Sequence, residues 1–339
     1  MTPQFVRKIK KISELAVSRV SLKFGFESDS LIILYLHGVF ASLREKNTAT
    51  NLILSYDGIT LDGLRKVIRY FVVLGYTFIS PVDFMNGLNC DKKYVMLTFD
   101  DGYASNIIVA GLLNECKVPG VFFISPGYVI NDKSFWWDVV FRELHKRSYG
   151  FNYIVACIQN LKNFRADEIE EVLLSKFGLK ALYPVSELDR PFRVNELKKF
   201  SREPYVFIGN HTMDHAILTN YSAYDAKMQI INAQDILNDV VQCNLPIISY
   251  PSGAYSNEIV RICTDLKFIL GFTVKPEKIQ TCQACSGGSL LELGRFSLKS
   301  NDANVLHNCE IARADIVLSN ICNYVYKNIT TYLYCNIFY

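Results

Sequence analysis

Short apolar runs alternate with helical patterns along most of the chain, and this alternation predicts the fold. The runs typical of buried strands lie near residues 31–36, 77–80, 94–99, 120–124, 205–208, 246–250 and 270–274. The periodicity typical of helices occurs at residues 61–73, 103–115, 222–242 and 256–267. Strands that alternate with helices favour a parallel sheet with the helices packed around it. We therefore expect an α/β fold, a barrel-like sheet of about seven strands wrapped by helices.

The region from residue 134 to residue 200 departs from this alternation. It carries helical patterns at residues 135–140, 166–177 and 194–200, with no strand between them. We interpret it as a helical insertion near the mouth of the barrel. The insertion contains both tryptophans of the chain, at positions 136 and 137, and their place at the start of an amphipathic helix favours a role in the core.

Both ends of the chain differ from the barrel region, residues 31–300. Residues 1–30 predict an amphipathic helix, because Phe5, Ile9 and Ile12 recur at helical spacing among basic residues. Such a helix either covers the barrel, which we favour, or lies on an anionic membrane surface. Residues 301–339 read as a helix followed by an aromatic tail.

Composition narrows the class of protein. A chain of 339 residues, half of them hydrophobic, can bury one large core, and a net charge of +3 argues against a dedicated nucleic-acid binder. Its ten cysteines are scattered, which suits a reducing compartment. The pair at positions 282 and 285 is a lone CxxC without the second pair of a zinc knuckle. Without a visible signal peptide or transmembrane run, we expect a cytoplasmic protein.

The first candidate for chemistry is the segment Thr98-Phe-Asp-Asp-Gly-Tyr103. Asp100 and Asp101 follow the predicted strand 94–99, at the end of the strand where α/β folds place their active sites. Adjacent carboxylates repel each other, so a cation or a proton-transfer role is one explanation for the pair. The structural alternative is a turn in which an aspartate caps the next helix.

The second candidate is the segment Asn210-His-Thr-Met-Asp-His215, which follows the strand predicted at 205–208. His211 and His215 are four residues apart, so on a helical turn both rings would reach one cation. The structural alternative is a pair of histidines on a solvated turn. Together with one aspartate of the first segment, the two imidazoles form a set that borderline cations such as Zn, Co, Ni or Fe accept.

These segments, with Ser249-Tyr-Pro-Ser-Gly-Ala-Tyr255, resemble in their order the motifs of the polysaccharide deacetylases, carbohydrate esterase family four. Three further segments resemble one bacterial branch of that family; they lie at residues 34–39, 74–80 and 118–124. The resemblance covers residues 31–130 and 204–298. It implies an irregular (β/α) barrel with fewer than eight complete units.

The resemblance also implies roles for individual residues. Asp101, His211 and His215 would bind the divalent metal, for which we expect zinc, and Asp100 would be the general base that activates water for attack on an N-acetyl carbonyl. The backbone N–H of Tyr103 would help to hold the oxyanion. Tyr250 and Pro251 would line the substrate groove, as the third motif of the family does. Aromatic rings over such a groove stack on sugars, which is the alternative role for the tryptophan pair.

The sequence departs from the family at two places. The third motif has no arginine to orient the base, and we propose Arg295 for this role because residues 294–298 resemble a late segment of the same branch. The Leu-x-x-His that supplies the general acid is also missing. His37, at the end of the first strand, is the better candidate for a substrate-binding or acid role, because His307 lies in a predicted helix.

The expected reaction is hydrolysis of N-acetyl groups on an amino-sugar glycan. Because we expect a cytoplasmic protein, the substrate could be a lipid-linked sugar, met at the inner face of the membrane. Two alternatives stay open. One is removal of an O-acyl or another acyl group at the same metal site, and the other is an inactive protein that only binds glycans.

Overall fold

We describe the chain from a computed structural model, which covers residues 15–25, 27, 29–54, 58–241, 244–280, 290–298 and 305–314. In this part of the chain one sheet contains nine strands, in the order β7-β6-β5-β4-β3-β1-β8, with β2 beside β3 and β9 beside β1. The strands are β1 (Ser30–Leu36), β2 (Thr77–Phe78), β3 (Tyr94–Phe99), β4 (Gly120–Ile124), β5 (Val206–Asn210), β6 (Asn244–Ser249), β7 (Leu270–Phe272), β8 (Ile279–Gln280) and β9 (Phe296–Ser297).

The sheet is parallel except where β8 pairs with β1, and it curls into an irregular (β/α) half-barrel. The predicted α/β barrel class is therefore confirmed. The strands β8 and β9, of two residues each, were not predicted from the sequence.

The helices connect the strands and cover the sheet. They are α1 (residues 15–23), α2 (Leu43–Thr48), α3 (Leu61–Val73), α4 (Pro81–Met85), α5 (Val109–Cys116), α6 (Pro126–Asn131), α7 (Trp136–Lys146), α8 (Phe151–Leu161), α9 (Ala166–Phe177), α10 (Val194–Phe200), α11 (Ala223–Val240), α12 (Asn257–Asp265) and α13 (Val305–Arg313). The helix predicted from residue 103 begins instead with a 3₁₀ turn, Ala104–Ile108, before α5.

Alternate residues of the central strands enter different cores. In β1, Ile32 and Leu34 pack in a cluster with side chains of α3 and α5, whereas Leu31 and Ile33 pack with β4, β6 and β7. This follows from the two-residue repeat of a strand, which points successive side chains to opposite faces. Since helices cover one face and the curled sheet encloses the other, β3 is buried along its whole length.

The inserted helices α7, α8 and α9 have an apolar cluster of their own, which includes Trp136. A buried ion pair between Arg142 and Asp189 lies beside it, and Arg142 Nη2 also donates to the carbonyl of Ala181 at 2.6 Å. A charged pair survives burial only when its remaining donors are satisfied, so these bonds fix the loop after α9 against α7.

The ends of the described chain pack together. Arg19 of α1 pairs with Glu310 of α13 at 3.1 Å, and the guanidinium of Arg313 pairs with Glu27. Among the residues described, no helix combines the length and the apolar character needed to cross a bilayer. The apolar stripe predicted at residues 5–12, the CxxC and the aromatic tail lie outside the described residues.

Candidate active site

The side chains singled out in the sequence lie at one edge of the sheet. Asp100 and Asp101 follow β3, His211 follows β5, and His37 follows β1 by one residue. Because neighbouring parallel strands point the same way, their carboxyl ends meet at this edge, which is where open α/β sheets bind ligands.

Asp101, His211 and His215 form a compact set of donor atoms. The Nε2 atoms of His211 and His215 each lie 3.4 Å from Oδ1 of Asp101, and the two ring centroids are 4.8 Å apart. In the described part of the chain, these three residues are the group that could hold a metal ion, with their donor atoms within 4.8 Å of one another. Oδ1 of Asp101 is buried without a hydrogen-bond partner. An orphaned carboxylate oxygen facing two imidazoles fits a divalent cation.

The orientation of the histidines suits this role. His211 Nδ1 lies 2.7 Å from the carbonyl oxygen of Ser249, which can only accept, so Nδ1 donates there and Nε2 faces Asp101. Burial lowers the pKa of His215 to about 3, which keeps its imidazole neutral. The nearby histidines also hold the pKa of Asp101 below its usual value, although burial opposes them. A neutral imidazole and an ionised carboxylate are the forms that bind metals.

The histidine segment is not the helical turn that its spacing predicted. Residues 211–217 form an irregular turn in which Thr212 (φ 61°) and His215 (φ 51°) are left-handed. Asn210 stabilises this turn, because its Oδ1 accepts from the Thr212 N–H at 2.8 Å while its amide donates to the Ile230 carbonyl at 3.0 Å. The two rings meet because the chain folds back at this turn, rather than because they share a helical face.

Asp100 is held by Arg295. The guanidinium donates to Oδ1 at 2.8 Å and to Oδ2 at 2.7 Å, and Nη2 also donates to Ser249 Oγ at 2.8 Å. Arg295 is fully buried, with Nε on the Thr273 carbonyl and the guanidinium 4.7 Å from the Tyr35 ring centroid. Burial raises the pKa of Asp100, but the charge of Arg295 outweighs it and leaves the pKa below its usual value. Asp100 is therefore an ionised carboxylate with a fixed orientation.

A cleft of about 430 Å³ opens over these residues. His37 lies in its wall, close enough for its charge to influence both Asp100 and Asp101. The inserted helices line the other side with Trp136, Trp137, Phe151, Ile158, Gln159 and Lys162. Trp136 belongs to the core of the insertion and also borders the cleft, so the two roles considered for the tryptophans are not exclusive. His307 lies on α13 and is not among the described residues that line the cleft.

Tyr103 borders the cleft, but its hydroxyl points into the protein. The hydroxyl donates to Asp138 Oδ2 at 2.6 Å and accepts from Trp137 Nε1 at 2.8 Å. Tyr103 and Pro191 are opposite each other in an isolated antiparallel β-bridge. The backbone hydrogen bonds of this bridge are made by Gly102 and Ala104, the neighbours of Tyr103, so the N–H of Tyr103 itself points away from Pro191.

The prediction that Tyr250 and Pro251 line the groove needs correction. The Tyr250 side chain is fully buried and donates to the Leu291 carbonyl at 2.9 Å, and Pro251 is buried as well. Ser252, with a left-handed φ of 57°, is the residue of this loop that borders the cleft. Apolar character placed Tyr250 correctly next to the strand β6 but could not show to which side its ring points.

Two residues near the site were not predicted from the sequence: Ser249, which contacts both His211 and Arg295, and Asp138, which is buried behind Tyr103. Trp137 was considered for the core or for the groove, but its packing against His215 was not expected. The only sequence signal for Asp138 is an aspartate in the first turn of an apolar helix, a common position for a cap. Ser249 lies in a motif that we recognised, but its contacts depend on residues far away in the chain.

Comparison with known proteins gives the same picture of the fold. The family model described as polysaccharide deacetylase matches residues 88–270, more than half of the chain. The structure is similar to the deacetylase PplD of Streptococcus pyogenes solved with acetate (TM-score 0.54, 18% identity, covering 83% of this chain and 98% of that one). It is also similar to IcaB from Ammonifex degensii (TM-score 0.55, 15% identity, 85% and 99% covered). No curated protein matches the sequence.

Proposed function

The chain belongs to the polysaccharide deacetylase family and is a hydrolase of amide bonds, and on that premise we propose that it removes N-acetyl groups from an amino-sugar glycan or glycan precursor in a metal-dependent reaction. One observation carries the proposal. Asp100 is an ionised, oriented carboxylate, and it lies directly beside a separate Asp–His–His donor set. The two neighbouring aspartates thus have different surroundings, as a base and a ligand require.

Asp101, His211 and His215 would hold the divalent cation. When bound there, zinc or a similar cation supplies Lewis-acid polarisation of the carbonyl and lowers the pKa of water. The neutral imidazole of His215 and the orphaned oxygen of Asp101 support this assignment. Zinc is proposed because one carboxylate and two imidazoles form a borderline ligand set, and cobalt, nickel or iron would also accept it.

Asp100 would act as the general base. A carboxylate has about four lone-pair sites, so it can take a proton from water while Arg295 occupies one site on each oxygen. The low pKa of Asp100 keeps it ionised and makes it a weak base. A divalent cation held by Asp101, His211 and His215 would supply water of lower pKa for this base, which explains why the two functions are adjacent. Arg295 would orient the base without touching the substrate.

The remaining steps are assigned to Tyr103 and His37. The tetrahedral oxyanion would accept a hydrogen bond from the Tyr103 N–H, which is free of the bridge to Pro191. The leaving amine needs a proton, and His37 is the candidate donor because it borders the cleft near both aspartates.

The substrate is proposed as an N-acetylated sugar, either in a polymer or linked to a lipid. The aromatic side chains of the cleft suit the apolar face of a pyranose ring. A reducing compartment is supported by the free cysteines of the described chain, which include the buried Cys263 and Cys309. A cytoplasmic enzyme of this kind would meet a lipid-linked sugar at the inner face of the membrane.

The test is mass spectrometry of N-acetylated oligosaccharides before and after incubation with zinc-loaded protein. We expect loss of acetyl groups, and Asp100→Asn should bind zinc normally but turn over about 10²–10⁴-fold more slowly. Release of acetate only from O-acetylated sugars would favour the esterase alternative. Sugar binding without any release would favour an inactive binding protein. Equal loss of zinc in Asp100→Asn and Asp101→Asn would contradict the division of roles between the two aspartates.

A further inference from the structure

The two histidines of the site are held in different ways. His211 donates from Nδ1 to the Ser249 carbonyl at 2.7 Å, the kind of second contact that orients a metal ligand. Nδ1 of His215 is buried and has no hydrogen-bond partner. Instead, its ring packs against the indole of Trp137, with centroids 4.5 Å apart and the planes inclined by 59°. The orientation of His215 therefore depends on where Trp137 is.

Trp137 is fixed from two sides. Its ring stacks on Phe135, with centroids 5.1 Å apart and the planes 11° from parallel. Its Nε1 donates to the hydroxyl oxygen of Tyr103 at 2.8 Å. An indole N–H can only donate, so the Tyr103 hydroxyl must be the acceptor in this bond.

Asp138 completes the set. The hydroxyl oxygen of Tyr103 accepts from Trp137, and the hydroxyl proton is donated to Asp138 Oδ2 at 2.6 Å. Oδ1 of Asp138 accepts from the N–H of Leu54 at 2.9 Å. Both Asp138 and Tyr103 are buried. When Asp138 is ionised, all three bonds have one possible direction, since a carboxylate can only accept, so the positions of the three side chains are mutually determined.

We infer that Asp138, Tyr103 and Trp137 form a positioning chain that holds the His215 imidazole in its metal-binding orientation. The inference rests on the proposed function, since it assumes that His215 is a ligand. It gives the inserted helix α7 a part in the site, because both Trp137 and Asp138 lie in its first turn. None of the three acts on the substrate in this role.

The test compares Tyr103→Phe with Tyr128→Phe. Tyr128 belongs to the same aromatic cluster, 4.8 Å from Phe135 and 6.4 Å from Trp137 between centroids, but it lies outside the positioning chain. Zinc affinity is measured by competition with a chromophoric chelator at pH 8, above the pKa of about 7 to which burial raises Asp138. Loss of an outer contact of a ligand typically weakens metal binding by about 10–100-fold. We expect that loss for Tyr103→Phe and for Asp138→Ala, and no change for Tyr128→Phe.

Two further measurements separate positioning from general damage to the fold. The visible spectrum of the cobalt-loaded protein should change in Tyr103→Phe at unchanged melting temperature. Trp137→Phe keeps an aromatic ring but loses the indole N–H, and it should weaken zinc binding less than Trp137→Ala. Unchanged zinc affinity and an unchanged cobalt spectrum in Tyr103→Phe would overturn the inference.

The inference and the proposed function can fail separately. Zinc binding is measured without substrate, so a protein that binds zinc but releases no acetate would contradict the function and leave the positioning chain intact. If the wild-type chain binds no cation, the ring ¹H–¹⁵N signals of its five histidines still test the contact. Tyr103→Phe should then shift the His215 signals, and identical His215 signals in the wild type and the variant would refute the positioning chain.

Discussion

At the scale of single residues, the site combines unusual backbone conformations with hydrogen bonds that hold them in place. Left-handed φ values occur at Asp101 (78°), Thr212 (61°), His215 (51°) and Ser252 (57°), all of which are in or beside the cleft. Residues other than glycine adopt this conformation at a cost of about 1–3 kcal/mol each, and such residues cluster at functional sites. The surrounding bonds, such as that of Ser125 Oγ to the His211 carbonyl at 2.9 Å, hold the strained segments in place.

The metal assignment can be tested at this scale. His211→Ala and His215→Ala each remove one of three ligands. Loss of a residue that only supports a ligand weakens metal binding by about 10–100-fold, and zinc affinity should fall by more than that in these two variants. Titration of zinc with analysis of bound metal gives the measurement. His145→Ala is the control, because that ring packs on Phe141 of α7, 5.9 Å between centroids, and should bind zinc like the wild type. Full zinc occupancy in the His211, His215 double variant would refute the assignment.

At the scale of elements, the turn at residues 211–217 that carries both histidines, the histidine turn, depends on how closely α6 approaches it. The Gly127 N–H donates to the Met213 carbonyl at 2.8 Å. A Cβ at residue 127 would lie 2.6 Å from that carbonyl oxygen and in closer conflict with the Asp214 carboxylate. Glycine is needed here for space, since it lets the first turn of α6 lie directly on residues 213 and 214.

Gly127→Ala should therefore destabilise the protein and loosen the histidine turn. Overpacking typically costs about 1–3 kcal/mol in the free energy of unfolding, measured by urea denaturation. Because the displaced turn carries His215, zinc affinity should fall as well. Gly111→Ala is the control: Gly111 lies inside α5 with open space around it, so alanine should be neutral or slightly stabilising. Equal stability and zinc affinity for both variants would contradict this account.

At the scale of the whole molecule, the inserted helices border the cleft, whereas the first and last described helices pack against each other. Helices α7 and α8 supply one wall of the cleft, while α1 and α13 pair through Arg19 and Glu310. Val20 of α1 and Phe24, which follows the last residue of that helix, are 55% and 70% exposed. Arg19 and Lys23 are exposed beside them whereas Ser18 and Ser21 are buried, so the edge that faces solvent carries apolar and basic side chains.

This exposed edge makes membrane docking of residues 1–26 testable. Each Lys or Arg near an anionic surface contributes about 1 kcal/mol, and salt screens it. The chain should co-sediment with anionic liposomes at low salt, and a version lacking residues 1–26 should bind much less. Replacing Arg7, Lys8, Lys10 and Lys11 by Gln keeps the apolar residues and should reduce binding mainly at low salt. Negligible binding by all three proteins would leave only a structural role for this helix.

The sequence by itself determined the parallel α/β architecture, most strand positions and the family, because these depend on local periodicity and on short motifs. It also pointed to Asp100, Asp101, His211 and His215, which the structure brings together. The resemblance also suggested that Arg295 orients Asp100, and the two side chains meet across 195 residues of sequence. Only the tertiary structure decided that Tyr250 turns into the core and that Trp137 packs on His215. Such contacts depend on how separate elements pack and on where each side chain points, and neither leaves a local pattern in the sequence.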